Sequence, residues 1–538
     1  MKLAVAQINC TVGDLAGNAK KILDFTNQAK NKGASLVVTP ELALSGYPPE
    51  DLLLRKGFSL ACINTLENLV KEINGITLLL GHPYFADSKI YNAASVICDG
   101  KIIVTYLKNN LLNDTVFKEC RYFEPGSDSC IFYVEGIKFG VNISTDVCKE
   151  FNVTRAKEKG AKVLLVLCAS PYHINKQVLC YKMVRQRICE TGITVIYANL
   201  VGGQDELVFD GASFVINSKG ELTHQFDEFT ETLGLVELQN SLPIQGAVLR
   251  TKILQASIYS ALCLGVKDYI DKNGFTDVLL GLSGGIDSAL TLAIAVDALG
   301  PERVWAVMMP SEYTTDISLQ DSRTMSETLG VRYSEVSIKP VFDKFVSALM
   351  CEFQGLQKND EADTTEENLQ ARIRGTFLMA LSNKYGAIVL TTGNKSEMAT
   401  GYCTLYGDMA GGFAVLKDIS KTMVYQLCQY RNSLSRAIPE RVIQRAPSAE
   451  LRPNQVDQDS LPSYDVLDGI IEAYVGQDKS LEEIIGLGYA KTDVGHIVDL
   501  ICMNEYKRHQ SPMGICVSQR SFSKDWYYPI TSKYKDKF

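Results

Sequence analysis

A glycine-rich turn near the middle of the chain has the residue types that bind phosphate. It lies between a predicted strand over 276–280 and a predicted helix over 287–299, and it reads Gly281-Leu282-Ser283-Gly284-Gly285-Ile286-Asp287-Ser288. Adjacent glycines let backbone N–H groups approach an anion, and the N-terminus of the following helix favours negative charge at the same place. The serines add hydroxyl donors, and Asp287 offers an oxygen ligand for a hard cation such as Mg²⁺. The turn therefore predicts a site for a polyphosphate and a metal ion.

Two other interpretations of the turn stay open at this point. A glycine-rich turn after a strand is often only a tight turn. The spacing Gly281-x-Ser283-x-Gly285 also fits the nucleophile elbow of α/β-hydrolases, in which Ser283 would attack a carbonyl carbon. Such a hydrolase needs a later histidine, and the candidates that follow are His496 and His509.

The sequence after the turn favours the phosphate interpretation. The turn resembles the pyrophosphate loop of ATP pyrophosphatases, which cleave ATP between the α and β phosphates and form an adenylate. Further segments follow in order: TEENLQARIRG at 365–375, TTGNKSE at 391–397, YGDMAGG at 406–412, KD at 417–418, RAPSAEL at 445–451 and NEYKR at 504–508. This ordered set resembles the NAD synthetase family across nearly all of residues 251–530.

The resemblance implies a two-step reaction. The carboxylate of deamido-NAD attacks the α-phosphate of ATP and releases pyrophosphate, and ammonia then displaces AMP from the adenylate to give NAD. The residues implied for ATP are those of the turn, 281–288, together with Thr392. Asp287 and Glu397 would hold Mg²⁺. The residues implied for deamido-NAD are Asn368, Arg372, Glu397, Asp408, Lys417 and Lys507.

The amino-terminal half resembles the nitrilase-like amidases, which in long NAD synthetases hydrolyse glutamine and pass ammonia onward. The similar segments are TPELALSGYPPED at 39–51, YLK at 106–108, RYFEPG at 121–126, ASPYHINK at 169–176 and NLVGGQDELVFDG at 199–211. In that family a glutamate is the general base, a lysine stabilises the oxyanion and a cysteine is the nucleophile. Glu41 and Lys108 occupy the first two places, and Ser170 and Lys176 lie in the implied glutamine pocket.

The third place does not match. The family pattern ends in Gly-Val-x-Ile-Cys-Glu-Asp, whereas this chain reads GVNISTD over 140–146, so Ser144 stands at the cysteine position. A serine hydroxyl is a far weaker acid than a thiol, whose pKa is about 8.5. Losing the nucleophile of a concerted triad costs on the order of a million-fold in rate. Asp114 also replaces the tyrosine that the pattern places against glutamine, and Cys148 comes four residues too late to supply the thiol.

The amino-terminal half is therefore predicted to be an inactive glutaminase, with ammonia taken from solution and glutamine doubtful as a donor. Weak activity through Ser144 and regulation by another small molecule bound in the pocket are the alternatives. In the inactive case Glu41 and Lys108 would be a leftover buried ion pair, since removing one partner costs several kcal/mol. An amidase or hydrolase acting through the first domain or through Ser283 is the alternative function, and it predicts turnover without ATP.

Two domains must position these residues, because 538 residues exceed one ordinary core. Short β-branched strands alternate with helices in the first half, which predicts a nitrilase-like α-β-β-α sandwich over 1–240. A helix over 253–273 and the strand over 276–280 then begin a Rossmann-like parallel sheet, the ATP-pyrophosphatase domain over 251–538. The domain boundary is expected near 240–246.

Composition limits the partners. A net charge of −8 without a basic block argues against nucleic acid, and no apolar run reaches the roughly 20 residues that span a bilayer. The fifteen cysteines show no C-x-x-C pair, which indicates a reducing compartment rather than disulfides. We expect a cytoplasmic enzyme that binds neither nucleic acid nor membrane. The family resemblance implies a homo-oligomer.

Overall fold

The computed structural model describes residues 1–113, 116–353, 364–453, 455–459, 461–534 and 536. It divides the chain into two units, Met1–Ser257 and Ile258–Phe538. In the described parts, none of the helices combines the length and the apolar character needed to cross a lipid bilayer.

The described residues of the first unit form fifteen strands and four α-helices, besides three short 3₁₀-helices. The strands are β1 (Lys2–Gln7), β2 (Leu36–Val38), β3 (Thr77–Ala86), β4 (Lys89–Cys98), β5 (Lys101–Leu107), β6 (Cys130–Val134), β7 (Ile137–Ile143), β8 (Val163–Cys168), β9 (Thr194–Asn199), β10 (Val201–Gln204), β11 (Leu207–Asp210), β12 (Phe214–Ile216), β13 (Leu222–Gln225), β14 (Thr232–Gln239) and β15 (Leu242–Pro243). The helices are α1 (Leu15–Asn31), α2 (Lys56–Glu72), α3 (Glu150–Glu158) and α4 (Lys176–Thr191). One sheet has the order β15-β14-β1-β2-β3-β4-β5 and the other β13-β12-β9-β8-β7-β6, while β10 and β11 form a separate hairpin.

The strands are apolar on both faces because both faces of each sheet are covered. All six residues of β8, VLLVLC, are buried. Between the sheets, Val5 and Leu36 of the first share one cluster with Val141 and Val215 of the second. The outer faces pack against α1 and α2 on one side and α3 and α4 on the other. The predicted α-β-β-α sandwich is confirmed.

The second unit is built on a five-stranded parallel sheet in the order β18-β17-β16-β19-β20. Its strands are β16 (Val278–Gly281), β17 (Val304–Met308), β18 (Arg332–Glu335), β19 (Ile388–Thr391) and β20 (Phe413–Ala414). The helices, beginning with one that spans the division, are α5 (Leu254–Lys272), α6 (Ile286–Leu299), α7 (Asp316–Leu329), α8 (Lys339–Phe353), α9 (Thr365–Tyr385), α10 (Lys395–Thr400), α11 (Lys421–Leu434), α12 (Glu440–Gln444), α13 (Tyr464–Ile471), α14 (Leu481–Gly486), α15 (Lys491–Met503) and α16 (Glu505–Arg508).

The register of this sheet places the two predicted binding loops side by side. β16 and β19 are adjacent and parallel, with Leu280 opposite Leu390. Their carboxyl ends therefore meet at one edge, which is where ligands bind in open α/β sheets. The glycine-rich loop follows β16, and the segment that leads to Glu397 follows β19. The predicted Rossmann-like parallel sheet is confirmed.

Candidate active sites

The loop after β16 is shaped by a close approach and by internal hydrogen bonds. Gly284 has a φ of +80°, and a Cβ atom there would lie 2.6 Å from the carbonyl oxygen of Ser318, so the position requires glycine. Ser283 Oγ accepts a hydrogen bond from the Gly285 N–H at 3.2 Å and lies 3.1 Å from Ser288 Oγ. Gly285 immediately precedes α6. The loop thus leads into a helix N-terminus, where an anion is favoured.

Two carboxylates and one amine meet beside this loop. Lys421, the first residue of α11, donates a hydrogen bond to Asp287 Oδ2 at 2.5 Å, and its Nζ lies 3.6 Å from Glu397 Oε1. Asn394 donates from Nδ2 to Asp287 Oδ1 at 2.9 Å, and its own Oδ1 accepts from the Glu397 N–H at 3.0 Å. These contacts fix both carboxylates at the same edge of the sheet.

The charges of this group depend on one another. Burial raises the pKa of Glu397, the charge of Asp287 raises it further, and Lys421 opposes both. Burial works to lower the pKa of Lys421, but the two carboxylates outweigh it and the net pKa is raised. Lys421 therefore remains a cation, and the two carboxylates share its charge.

The oxygens of Asp287 and Glu397 suit Mg²⁺. Magnesium is usually held by one or two carboxylates, with substrate phosphates and water completing its octahedron. Both side chains face a cavity large enough to admit a phosphate chain. In the residues that the structure describes, no group of three or more His, Cys, Asp or Glu side chains is placed to hold a metal. The donor set fits a magnesium ion that is also bound by a nucleotide.

A cavity of about 260 Å³ opens at this edge of the second unit. It is bounded by the glycine-rich loop on one side and by residues 445–451 on another. The predicted site residues that line it are Gly281, Leu282, Ser283, Gly285, Ile286, Asp287, Ser288, Thr392, Glu397 and Asp408. The fold therefore brings together residues that are more than 100 positions apart in the chain.

A buried lysine lies between two glutamates in the first unit. Lys108 Nζ donates to Glu41 Oε1 at 2.7 Å and to Glu119 Oε1 at 2.8 Å, and the three side chains are 0%, 1% and 5% exposed. Burial alone would lower the pKa of Lys108, but the two carboxylates raise it. Asn92 Nδ2 also donates to Glu41 Oε1 at 2.7 Å, and the Ala169 N–H donates to Glu41 Oε2 at 3.1 Å. Both oxygens of Glu41 are therefore engaged.

Ser144 follows β7 in a tight turn. Its φ of +46° is in the left-handed region that few residues other than glycine adopt. Asp146 fixes the turn, because its carboxylate accepts from the Ile143 N–H at 3.1 Å and from the Asn110 N–H at 2.7 Å. Asn110 lies two residues after Lys108, so the Asp146 carboxylate links the segment that follows β5 to the turn at Ser144.

Comparison with known proteins settles the family. The model of the carbon-nitrogen hydrolase family matches residues 2–243, and that of NAD synthase matches residues 258–511. A glutamine-dependent NAD(+) synthetase from Xylella fastidiosa is 47% identical over 544 residues, covering 99% of each chain. One from Thermotoga maritima is 41% identical, covering 100% of this chain and 99% of the other. The chain belongs to the glutamine-dependent NAD synthetase family.

Solved structures agree with this assignment. A glutamine-dependent NAD⁺ synthetase from Acinetobacter baumannii in complex with ADP is 41% identical, with a TM-score of 0.79, and covers 100% of this chain and 99% of its own. The enzyme from Cytophaga hutchinsonii is 22% identical with a TM-score of 0.85, covering 99% and 98%, and shows the fold alone. As an NAD synthetase, the chain is a ligase that forms a carbon–nitrogen bond.

Five predicted site residues of this NAD synthetase do not line the cavity: Gly284, Asn368, Arg372, Lys417 and Lys507. Asn368 Oδ1 accepts from Thr404 Oγ1 at 2.8 Å, and Arg372 Nε donates to the carbonyl of Leu405 at 3.2 Å. Lys417 Nζ donates to the carbonyl of Pro512 at 2.9 Å, and Lys507 Nζ to those of Gly401 and Cys403 at 2.7 and 2.9 Å. The assignment of the last four to deamido-NAD, and that of Gly284 to ATP, stays a prediction.

Asp408 faces the cavity from the loop that follows α10. Its Oδ1 accepts from the Thr404 N–H at 2.8 Å. The surrounding protein desolvates the carboxyl group and raises its pKa to about 6, while the charge of Lys507 opposes the rise. The Asp408 carboxyl group therefore ionises near pH 6.

Sequence reasoning assigned no role to three cations that line this cavity, Lys421, Arg445 and Arg374. It assigned Lys417 to deamido-NAD, whereas Lys421, four residues later, contacts the carboxylates. The signal was present, because Ser420 is a typical N-cap and marks Lys421 as the start of a helix. Arg445 is the second, and it donates to Ser318 Oγ and to the carbonyl of Gly284, both at 3.0 Å.

The hydrolase interpretation of Ser283 finds no geometric support. Among the described residues that line the cavity with Ser283 there is no histidine. His509 Nε2 lies 3.3 Å from Glu505 Oε1, and His496 is exposed on α15. The hydroxyl of Ser283 instead accepts a hydrogen bond from its own loop, as a phosphate-binding turn would need.

The predicted glutamine pocket of the first unit is only partly described. Asp114 lies outside the described residues. Lys176 Nζ donates to Asp210 Oδ1 at 2.8 Å and to the carbonyl of Ser170 at 2.7 Å, and both charged side chains are 4% exposed. Cys148 ends the turn that begins at Ser144, and desolvation raises the pKa of its thiol, the opposite of what an activated nucleophile needs.

Proposed function

We propose that this NAD synthetase amidates deamido-NAD to NAD with ATP, through an adenylate, and that free ammonia is its nitrogen donor. One observation carries the proposal: Asp287, Glu397 and Lys421 converge beside a glycine-rich loop at the edge of a cavity. Such an arrangement neutralises a polyphosphate, and nucleotidyl transfer depends mainly on positioning and charge neutralisation. The Acinetobacter baumannii relative was solved in complex with ADP, which supports an adenine nucleotide as a ligand of this chain.

In the first step a carboxylate oxygen of deamido-NAD forms a bond to the α-phosphorus of ATP, and the bond to the bridging oxygen of the β-phosphate breaks. The N–H groups of Gly284 and Ile286 and the Thr392 hydroxyl would bind the phosphates, since those of Ser283 and Gly285 donate within the loop. Mg²⁺ held by Asp287 and Glu397 would neutralise the leaving pyrophosphate. Lys421 holds both carboxylates in place, and Arg445 fixes the loop through Gly284.

In the second step the ammonia lone pair attacks the acyl carbon of the adenylate, and AMP leaves with the bonding electrons. The nitrogen loses one proton when the amide forms. We assign Asp408, which lines the cavity, to the end that takes the nicotinate ring, as the family resemblance implies. Asn368, Arg372, Lys417 and Lys507 would complete the deamido-NAD site around it.

The choice of ammonia rests on Ser144. Deprotonating a serine hydroxyl requires a strong, well-placed base. Neither oxygen of Glu41 accepts its hydrogen bonds from Ser144; the donors are Lys108, Asn92 and Ala169. We therefore infer that Glu41 and Lys108 persist as a buried ion pair, and that the first unit does not release ammonia from glutamine.

A second candidate is glutamine-dependent synthesis through Ser144. The names of the relatives, at 47% identity over nearly the full length, favour it. The strained turn at Ser144 and the complete Glu41–Lys108–Glu119 group also suit a working amidase site. An amidase or hydrolase that works without ATP is the remaining alternative.

The test is NAD formation from deamido-NAD and Mg-ATP with ammonium or glutamine as sole nitrogen source, in wild type and in Ser144→Ala. We expect ammonium to support synthesis equally in both proteins and glutamine to support it in neither. Glutamine-dependent synthesis that is lost in Ser144→Ala would establish the second candidate. Turnover of an amide in the absence of ATP, by a protein that makes no NAD from ammonium or glutamine, would establish the third.

The cellular compartment and the oligomeric state of the enzyme are also proposals. We infer a cytoplasmic protein that assembles from identical chains, since the cysteine spacing indicates a reducing compartment and the family resemblance implies an oligomer. Sedimentation of the purified chain tests the second point.

A further inference from the structure

The segment that carries Glu397 and leads to Asp408 is held by the short helix α16 and the residue before it. α10 has six residues, fewer than a helix needs to be stable by itself. The carbonyl groups of its last turn have no partners within the helix. Those of Met398, Ala399 and Thr400 accept hydrogen bonds from the side chains of Arg508 and Asn504.

Successive carbonyl groups at the end of α10 are bound one after another. Arg508 Nη1 donates to the carbonyls of Met398 at 3.3 Å and Ala399 at 2.9 Å. Asn504 Nδ2 donates to the carbonyl of Thr400 at 2.8 Å. The end of α10 is therefore satisfied by side chains more than 100 residues further along the chain.

Lys507 extends the series into the following loop, where its Nζ donates to the carbonyls of Gly401 at 2.7 Å and Cys403 at 2.9 Å. The approach is close: Gly401 has a φ of +69°, and a Cβ atom there would lie 2.1 Å from Asn504 Cγ. Five carbonyl groups between 398 and 403 are thus bound by one segment.

The guanidinium of Arg508 is itself held rigidly. Its side chain is 3% exposed and pairs with Glu505 Oε2 at 2.7 Å. The ring centroids of Phe522 and Trp526 lie 4.8 and 6.0 Å from its Cζ. A side chain fixed on all sides transmits its position to the carbonyl groups it binds.

We propose that Asn504 and Arg508 are positioning residues that orient α10 so that Glu397 presents one oxygen to the metal. At the other end of α10, Glu397 Oε2 accepts from the Asn394 N–H at 3.1 Å, so Oε1 is the oxygen that faces Lys421. A small rotation of α10 would carry Oε1 away from Asp287. The proposal rests on the proposed function in taking Glu397 as a metal ligand.

The experiment measures metal binding rather than turnover. Full-length wild type, Arg508→Lys, Asn504→Ala and Glu397→Gln are titrated with Mn²⁺ in the presence of an ATP analogue that has a methylene group between the α- and β-phosphorus atoms. Free Mn²⁺ is followed by electron paramagnetic resonance. We expect about tenfold weaker Mn²⁺ binding in Arg508→Lys and Asn504→Ala, the usual effect of losing a partner that orients a ligand, and a larger loss in Glu397→Gln.

Arg431→Lys is the matched control. Arg431 is buried to a similar degree and pairs with Asp297, ten residues along α11 from Lys421. It should lose thermal stability as Arg508→Lys does but bind Mn²⁺ within twofold of wild type. Equal weakening in both arginine variants, or wild-type affinity in Arg508→Lys, would overturn the proposal.

If Arg508→Lys does not fold, Mn²⁺ binding by Asn504→Ala tests the proposal in its place. Unchanged Mn²⁺ binding in Glu397→Gln would also overturn the proposal, because Glu397 would then not be a ligand. A wild type that binds Mn²⁺ and nucleotide but makes no NAD from deamido-NAD and ammonium would refute the proposed function and leave the positioning result standing.

Discussion

Lys421 donates a hydrogen bond of 2.5 Å to Asp287 across 134 residues of chain, and the two side chains are 2% and 16% exposed. Its ammonium group offsets the charge of the Asp287 carboxylate. Glu397, 3.6 Å from the same amine, completes an arrangement of two carboxylates around one positive charge. One lysine thus offsets only part of the negative charge that the two side chains carry when both are ionised.

Lys421→Met should make the stability of the enzyme depend on Mg²⁺. Removing one partner of a buried ion pair costs about 3–5 kcal/mol, because the remaining carboxylates are left unpaired. We expect a lower Tm without metal and a larger rise on adding Mg²⁺ than wild type shows, measured by calorimetry. The control is Lys267→Met, whose partner Asp271 is 38% exposed and whose pair contributes at most about 1 kcal/mol. Equal Mg²⁺ shifts in wild type and Lys421→Met would contradict this account.

Gly284→Ala should weaken ATP binding more than its backbone strain alone explains. A side chain at φ of +80° is strained, and its Cβ would also lie 2.6 Å from the Ser318 carbonyl oxygen. Gly274→Ala is a matched control, since φ there is +76° and no atom lies within 4 Å of the added Cβ. We expect similar small losses of Tm from strain, a further loss in Gly284→Ala, and at least a tenfold rise in KM for ATP in that variant only. A normal KM for ATP in Gly284→Ala would show that the loop can shift without harm.

Periodicity and turn chemistry predicted much of the fold. The helix expected over 253–273 is Leu254–Lys272, and the one expected over 287–299 is Ile286–Leu299. Long amphipathic or buried segments with glycine at the end give such agreement. The strand expected over 276–280 is Val278–Gly281 instead, because its extent is set by pairing with β17 and β19, which local sequence does not specify.

The site was harder to predict than the fold because it depends on contacts between distant segments. The motifs located Asp287 and Glu397, but not the lysine between them. No function was predicted for the carboxyl-terminal segment over 518–538, yet Phe522 and Trp526 of this segment pack against Arg508 in the structure. Hydrogen bonds from 504–508 to 398–403 leave no trace in local propensity, since a carbonyl group accepts a hydrogen bond whatever its side chain.

The pH dependence of synthesis should follow the ionisation of Asp408. Burial raises the pKa of this carboxyl to about 6 and Lys507 opposes the rise, so losing the lysine charge should raise the pKa further. If the carboxylate is the active form, log kcat rises with pH up to about 6 in wild type. The rising limb should shift to higher pH in Lys507→Met and stay in place in Lys507→Arg. The profile is measured with the free ammonia concentration held constant at each pH. If the rising limb does not shift in Lys507→Met, Asp408 is not the group whose ionisation controls kcat.

Ser144→Cys should create or strengthen glutamine hydrolysis in the first unit. The thiol is a far stronger acid and nucleophile than the hydroxyl, and Glu41 and Lys108, at the implied base and oxyanion positions, are already paired at 2.7 Å. We expect glutaminase activity, measured as glutamate release, at least tenfold above that of wild type, with ammonium-dependent NAD formation unchanged. Ser144→Ala is the matched control and should equal wild type in both assays.

The amount of glutaminase activity that Ser144→Cys gains indicates which other steps have been lost in the first unit. A full return of glutamine-dependent synthesis would mean that Ser144 alone separates this enzyme from an active glutaminase. Glutamate release without NAD formation from glutamine would mean that ammonia no longer reaches the adenylate. No glutamate release at all would place the block in the substrate pocket, where Lys176 is already paired with Asp210 and is 4% exposed. That last result would contradict the prediction and direct attention from the nucleophile to glutamine binding.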